Sequence, residues 1–174
     1  MAGRWFSMAR LSSTSKRPIW RCMTELSSSV AGTSIAGSGI ADTFAEMVEN
    51  FDLLEDWEQR IEYVIDLGKD LEPLAEADRV EANKVPGCAA QVWLATQRRD
   101  GRLVFHADSD SAISKGNVAL LLALFSNRAP GDILDFDAKA ALERLGLPQA
   151  LTRQRANGLN SMVGRIRQEA LAGA

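Results

Sequence analysis

Gln91-Val92-Trp93-Leu94-Ala95-Thr96-Gln97-Arg98-Arg99-Asp100-Gly101-Arg102-Leu103-Val104-Phe105-His106-Ala107 decides the fold of this chain. Two strand-like runs, Gln91–Arg98 and Arg102–Ala107, flank Arg99-Asp100-Gly101. Asp-Gly tolerates the positive φ angles that a tight hairpin turn demands, so the stretch predicts two antiparallel strands. Just beyond it, Asp108-Ser109-Asp110-Ser111 offers side chains that cap helix N-termini. Ile113 to Phe125 then reads as a helix, apolar nearly all round from Val118 on. A helix without a polar face belongs in the core, here packed against the hairpin.

Working outward, helices lie on both sides. Phe44, Met47, Val48 and Phe51 recur at helical spacing near the start of the folded part. In the next helix Trp57, Ile61, Val64, Ile65 and Gly68 form one stripe, with Glu58, Arg60, Glu62, Asp66 and Lys69 off it. Gly68 and Pro73 are expected to end it. Residues 73–90 are mixed and polar. Past the core helix, two short helices at 130–135 and 138–145 are expected to stop at Gly146 and Pro148. Thr152 can cap a last helix with the stripe Leu159, Met162, Val163 and Ile166. Helices, a small antiparallel sheet, then helices again indicate an α+β fold, a single domain over residues 41–174 with the sheet packed against several helices.

Composition narrows the function classes. The chain has 174 residues, 46% hydrophobic and 25% charged, as in an ordinary globular domain with a real core. It holds one histidine, His106, and two cysteines, Cys22 and Cys88. These are too few for a disulfide framework or for the ligands of a usual zinc or iron–sulfur site, so no metal and no cofactor is expected. The longest apolar run, Val118–Phe125, is far short of the roughly 20 residues a bilayer takes. The net charge of −3 is uneven: residues 1–24 carry Arg4, Arg10, Lys16, Arg17 and Arg21 and no acid. The remainder is therefore acidic, which argues against a nucleic-acid groove.

Residues 1–40 are rich in Ser, Thr, Gly and Ala, with no sustained apolar period. They read as a disordered or mis-started N-terminal extension, with Met23 as the other start, and their removal is expected to leave the fold intact. The alternative is an organellar transit peptide in residues 1–24. Free thiols fit a reducing compartment, so the expected location is cytoplasmic, or a mitochondrion or plastid if the transit reading holds.

The chemistry concentrates in Lys84-Val85-Pro86-Gly87-Cys88-Ala89-Ala90-Gln91-Val92-Trp93. Pro86 presets φ and Gly87 has no Cβ, so the chain can turn sharply and leave Cys88 at the tip, beside a strand. There the thiol could meet a large partner; buried, it would be inert. A thiol that rests in an apolar pocket and swings out on docking combines the two.

Four pieces in order carry a resemblance. They are Trp57 with Ile61 to Gly68; Val85-Pro86-Gly87-Cys88 followed by Gln91-Val92-Trp93; Asp108-Ser109-Asp110-Ser111-Ala112-Ile113-Ser114-Lys115-Gly116; and Leu151-Thr152-Arg153-Gln154-Arg155-Ala156-Asn157-Gly158-Leu159 with Met162, Ile166 and Arg167. Over roughly residues 42–170 the chain resembles the SufE-like family, the sulfur acceptors that partner cysteine desulfurases. Ala89 and Ala90 stand where family members commonly have polar residues, and Gln154-Arg155 where Ser-Arg is frequent.

The resemblance implies a persulfide relay. A pyridoxal-phosphate cysteine desulfurase would pass sulfur to Cys88, which would carry it as a persulfide to an iron–sulfur scaffold complex and stimulate the desulfurase. Carbon–sulfur cleavage would belong to the partner's cofactor, so this chain would be a non-enzymatic partner or a sulfurtransferase-type acceptor. Arg155 is the candidate to hold the Cys88 loop or stabilise thiolate, with Gly87, Gln91 and Trp93 shaping loop and strand. Asp108, Asp110 and Lys84 are candidates to meet the partner; Lys84 could also lower the thiol pKa, and the aspartates could simply be helix caps. His106 is not needed by this chemistry. An iron–sulfur scaffold of the same fold is the alternative, and one cysteine in the domain disfavours it.

Overall fold

The computed structural model describes residues 39–173. Helix α1, Ile40–Asp52, buries Ile40, Thr43, Met47 and Phe51. Asp42 accepts a hydrogen bond from the Gly39 amide (2.9 Å) and closes its first turn. Helix α2, Trp57–Lys69, starts at Asp56, whose carboxylate accepts from the Gln59 amide (2.8 Å). Two short 3-10 turns, Glu76–Asp78 and Glu81–Asn83, lead into the hairpin.

Strands β1, Val92–Arg99, and β2, Arg102–Ser109, pair antiparallel from Val92↔Ser109 to Arg99↔Arg102. Asp100 (φ 53°) and Gly101 (φ 74°) both take positive φ, as the two-residue turn requires. Val92, Leu94, Leu103, Phe105 and Ala107 are buried. They share a core with helix α3, Ala112–Phe125, whose Val118, Leu120, Leu121, Leu124 and Phe125 are all buried. Ser126 fastens the end of α3 to β2 by accepting from the Phe105 amide (3.0 Å). Helices α4, Pro130–Asp135, α5, Ala138–Arg144, α6, Leu147–Ala150, and α7, Arg153–Gly173, complete the domain. α7 buries Gly158, Leu159, Met162, Ile166 and Ala170. The result is an α+β domain with a small two-stranded antiparallel sheet packed against several helices.

Two expectations need correcting. Trp57 does not join the packed stripe of α2: it is 60% exposed, and the buried positions are Val64 and Gly68. It lies in the first turn, before the packed face begins. α2 ends at Lys69, between Gly68 and Pro73 as expected. A Cβ at Gly68 would stand 2.6 Å from the Gly116 nitrogen, so the glycine is there for close approach of α2 and α3. The four residues of α6 were not expected, because Pro148 reads as a stop; here it sits in the first turn of a helix, where its missing N–H costs nothing.

The expectations for the N-terminal extension, Met23, Cys22 and a transit peptide fall on residues 1–38, outside the described residues. At residue 40 the structure intervenes, because Ile40 is only 6% exposed. A chain begun at Ala41 should therefore be less stable than one begun at Gly39. Burying an Ile side chain contributes about 1.5–3 kcal/mol, and fraying at a terminus reduces that to about 1 kcal/mol. Urea midpoints of the two truncations check this; equal midpoints would remove Ile40 from the stabilising core.

Candidate functional site

The Cys88 loop is pinched at both ends. The Val85 amide donates to the Val92 carbonyl (2.8 Å), and Lys84 bridges to Trp93. At the far end the Gln91 amide donates to the Asp110 carboxylate (2.9 Å), while its carbonyl accepts from the Ser109 hydroxyl (2.8 Å) and the Asp110 amide (3.3 Å). Between these clamps Pro86 and Gly87 make the turn, with Gly87 at φ 79°, a conformation that favours glycine. Cys88 follows, half-buried, with a cleft of about 350 Å³ beside it lined also by Glu81, Lys84, Gln91 and Asp110.

The underside of the loop rests on α7. The Cys88 thiol lies 3.6 Å from the Gly158 carbonyl oxygen and can donate to it. Gly158 has no side chain to interfere: a Cβ there would stand 3.2 Å from Cys88 Cα and 3.4 Å from Sγ. A Cβ at Gly87 would meet the Ser161 hydroxyl at 3.0 Å. Burial pushes the Cys88 thiol above its ordinary pKa. An S–H bonded to a carbonyl works in the same direction, favouring the protonated form over the more nucleophilic thiolate.

Asp108 is a correction. It is a strand residue, not a cap, and its side chain is only 3% exposed, so its carboxylate is not offered to a partner. It accepts from Arg79 (2.5 Å) and the Ser109 amide (2.8 Å), and Lys115 lies 3.1 Å away. Burial pulls its pKa up, but the Ser109 amide, Lys115 and Arg79 outweigh that and hold the carboxyl below its ordinary value. Removing one partner of such a buried cluster is costly, since a charge is left behind. Arg79 lies over the Trp93 ring (5.9 Å to the centroid), and Trp93 pairs with Asp108 across the hairpin. Trp93 thus sits between the loop's entry at Lys84 and this cluster.

The N-cap of α3 is Ser111, without a side-chain cap hydrogen bond; Asp110 instead restrains Gln91 and is exposed at the cleft. Lys84 lines the same cleft, with Glu81 3.5 Å away. His106 is half-buried in β2 and does not line the cleft. Arg155 is half-buried in the first turn of α7, and no described hydrogen bond or ion pair joins it to the Cys88 loop. Arg79, Gly158 and Ser161 do not stand out as site residues in the sequence. The one available signal is Gly158, a glycine inside a strongly patterned helix, which often marks a close approach.

These contacts set the expectation for Arg155. Without a bond to the loop, Arg155→Ala should cost about 0.5 kcal/mol or less. If its charge supports thiolate at a distance, the alkylation of Cys88 by iodoacetamide should require higher pH in the variant. Superimposable pH curves, with and without a cysteine desulfurase, would leave Arg155 as a surface residue.

Comparison with known proteins points the same way as the loop. Residues 45–170 match the family model for SufE, described as an Fe-S metabolism associated domain. An uncharacterized SufE-like protein of Rhizobium meliloti is 43% identical over 129 residues, covering 72% of this chain and 92% of its own. One from Rhizobium etli is 45% identical over 129 residues, covering 72% and 87%. The solution structure of a hypothetical protein from Thermus thermophilus shares the fold, with a TM-score of 0.64 at 17% identity over 75% of this chain and 95% of that one. From its loop, its motifs and a family match spanning most of the described domain, this chain belongs to the SufE family.

Proposed function

We propose that this protein is a sulfur acceptor that takes persulfide sulfur from a pyridoxal-phosphate cysteine desulfurase onto Cys88, stimulates that enzyme, and relays the sulfur to an iron–sulfur scaffold complex. The observation that carries the reading is the placement of Cys88, the one cysteine among the described residues, at the tip of a loop clamped at both ends. The step is a thiolate displacement at sulfur. The Cys88 thiolate attacks the outer sulfur of the partner's cysteine persulfide and forms an S–S bond. The partner's own S–S bond breaks, and its cysteine leaves as thiolate. No net oxidation occurs, so one nucleophilic sulfur and a place to shelter it suffice.

Gly87, Gln91 and Trp93 are proposed to shape the loop, and Lys84 and Asp110, both at the cleft, to meet the desulfurase. Among the described residues no helix is long and apolar enough to cross a membrane. The scaffold alternative asks for several thiolates on one surface, and the described residues supply Cys88 alone. The test is intact mass followed by peptide mapping after incubation with a cysteine desulfurase and cysteine. A gain of about 32 Da, one sulfur atom, on the peptide containing Cys88 supports the acceptor reading, and an unchanged peptide with an active desulfurase overturns it.

A further inference from the structure

Cys88 meets α7 at Gly158, in a contact that suits one protonation state. Gly158 meets the Cys88 side chain twice: its carbonyl oxygen faces Sγ at 3.6 Å, and its bare Cα leaves room where a Cβ would press on Cα and Sγ at 3.2 and 3.4 Å. A carbonyl oxygen can accept from S–H but offers nothing to a thiolate or to a sulfur carrying another group in place of hydrogen. The loop is elsewhere held by backbone clamps at Val85–Val92 and Gln91–Asp110. The segment between these clamps can therefore shift without disturbing the sheet. We propose that Gly158 is a positioning residue, the seat that keeps the empty Cys88 thiol retracted and lets it go once the sulfur is ionised or loaded.

The charged groups around the cleft do not duplicate this role. Lys84 from the loop is paired with Glu81 of the preceding turn (3.5 Å), and Asp110 from the β2–α3 turn is engaged with Gln91. Arg155 lies a turn earlier on α7 and makes no described bond to the sulfur. Burial works in the same direction as the seat, since it also favours the neutral thiol. An empty carrier would then resist stray oxidants, and a loaded one would present its sulfur to the next acceptor.

The consequence for sulfur relay rests on the acceptor reading above, but the seat can be tested without a desulfurase, so the two can fail separately. In a Cys22→Ser background, iodoacetamide alkylation of Cys88 is followed from about pH 7 to 10, a range spanning ordinary thiol ionisation, in three proteins: the parent, Gly158→Ala and Gly164→Ala. Gly164 is on the same helix, and a Cβ there would meet nothing within 4 Å, so it controls for the helix propensity of alanine. Gly158→Ala should lower the pH midpoint. One unit would raise thiolate about tenfold and the rate near neutral pH about three-fold, since a less basic thiolate attacks more slowly. Gly164→Ala should superimpose on the parent. A Gly158→Ala profile identical to the parent's, or an equal shift in Gly164→Ala, overturns the seat.

A second measurement does not depend on that variant folding. Methyl methanethiosulfonate converts the Cys88 thiolate to S–S–CH3 and releases methanesulfinate, leaving a sulfur that cannot donate. Nuclear Overhauser contacts between the Gly158 α-protons and the Cys88 α- and β-protons report the seat itself, because Gly158 packs against Cys88 Cα and Cβ. In the modified protein these contacts should weaken at least about two-fold, while those across the Val85–Val92 clamp persist, since only the segment between the clamps opens. Unchanged Gly158–Cys88 contacts overturn the proposal.

Discussion

Replacing Cys88 by Ser is expected to abolish sulfur loading while leaving the fold and partner binding in place. Serine has nearly the size of cysteine, and its hydroxyl can still donate toward the Gly158 carbonyl, which the thiol faces at 3.6 Å. Stability should change by about 1 kcal/mol or less, as for a half-buried polar exchange. The chemistry cannot survive. A hydroxyl stays protonated at neutral pH and is not a sulfur nucleophile, and no second cysteine stands among the described residues to replace it. Incubated with a desulfurase and cysteine, the variant should bind the enzyme, show no added sulfur at residue 88, and give no rate increase. Stimulation of turnover equal to that of the unmodified chain would sink the relay, because an acceptor without its thiol cannot draw sulfur from the desulfurase.

Gly116→Ala should produce the largest loss of stability among single-methyl changes in the domain. At this crossing α2 and α3 touch backbone to backbone. A Cβ on Gly116 would land on the Val64 carbonyl, 2.6 Å from its carbon and 2.8 Å from Val64 Cγ1. The carbonyl is main chain in the middle of a helix and cannot turn aside as the end of a lysine could, and the Cγ1 methyl beside it is on a stiff β-branched side chain. The helices must separate, and the core formed by Val64, Val118 and Leu121 loosens with them. Alanine's better helix propensity returns about 1 kcal/mol. Overpacking against backbone costs more than the usual 1–3 kcal/mol, so a net loss of about 3 kcal/mol is expected, a fall in melting temperature of about 10 °C. Gly164→Ala, which meets nothing, should change stability little or raise it slightly. If thermal melts of the two variants coincide, the close crossing is not a determinant of this fold.

Much of the fold could be read locally because its signals have short periods. Asp100 and Gly101 announced their own positive φ angles, and the register from Val92↔Ser109 to Arg99↔Arg102 follows from a two-residue turn. Val118–Phe125, apolar on every side, could only be central. Pro86 and Gly87 turn the chain ahead of Cys88 for reasons contained in those two residues. Trp57 misled because a stripe records apolar spacing and not where the neighbouring helix ends; at 60% exposure it lies outside the contact.

The sequence by itself determined both strands, the turn that joins them, every helix but the short α6, and the place of the one thiol in the described domain. Tertiary structure alone decided what that thiol touches and which charges are buried. Gly158 lies 70 residues from Cys88, and Arg79 lies 29 from Asp108. Nothing in either local pattern states such a pairing. Asp108 looks like a solvated cap until folding brings Arg79 and Lys115 against it, and Gly158 looks like a weak spot in a helix until the Cys88 loop settles on it. Periodicity of two or of 3.6 residues says which face of an element turns inward; it carries no information about the partner waiting there, which depends on how separate elements pack.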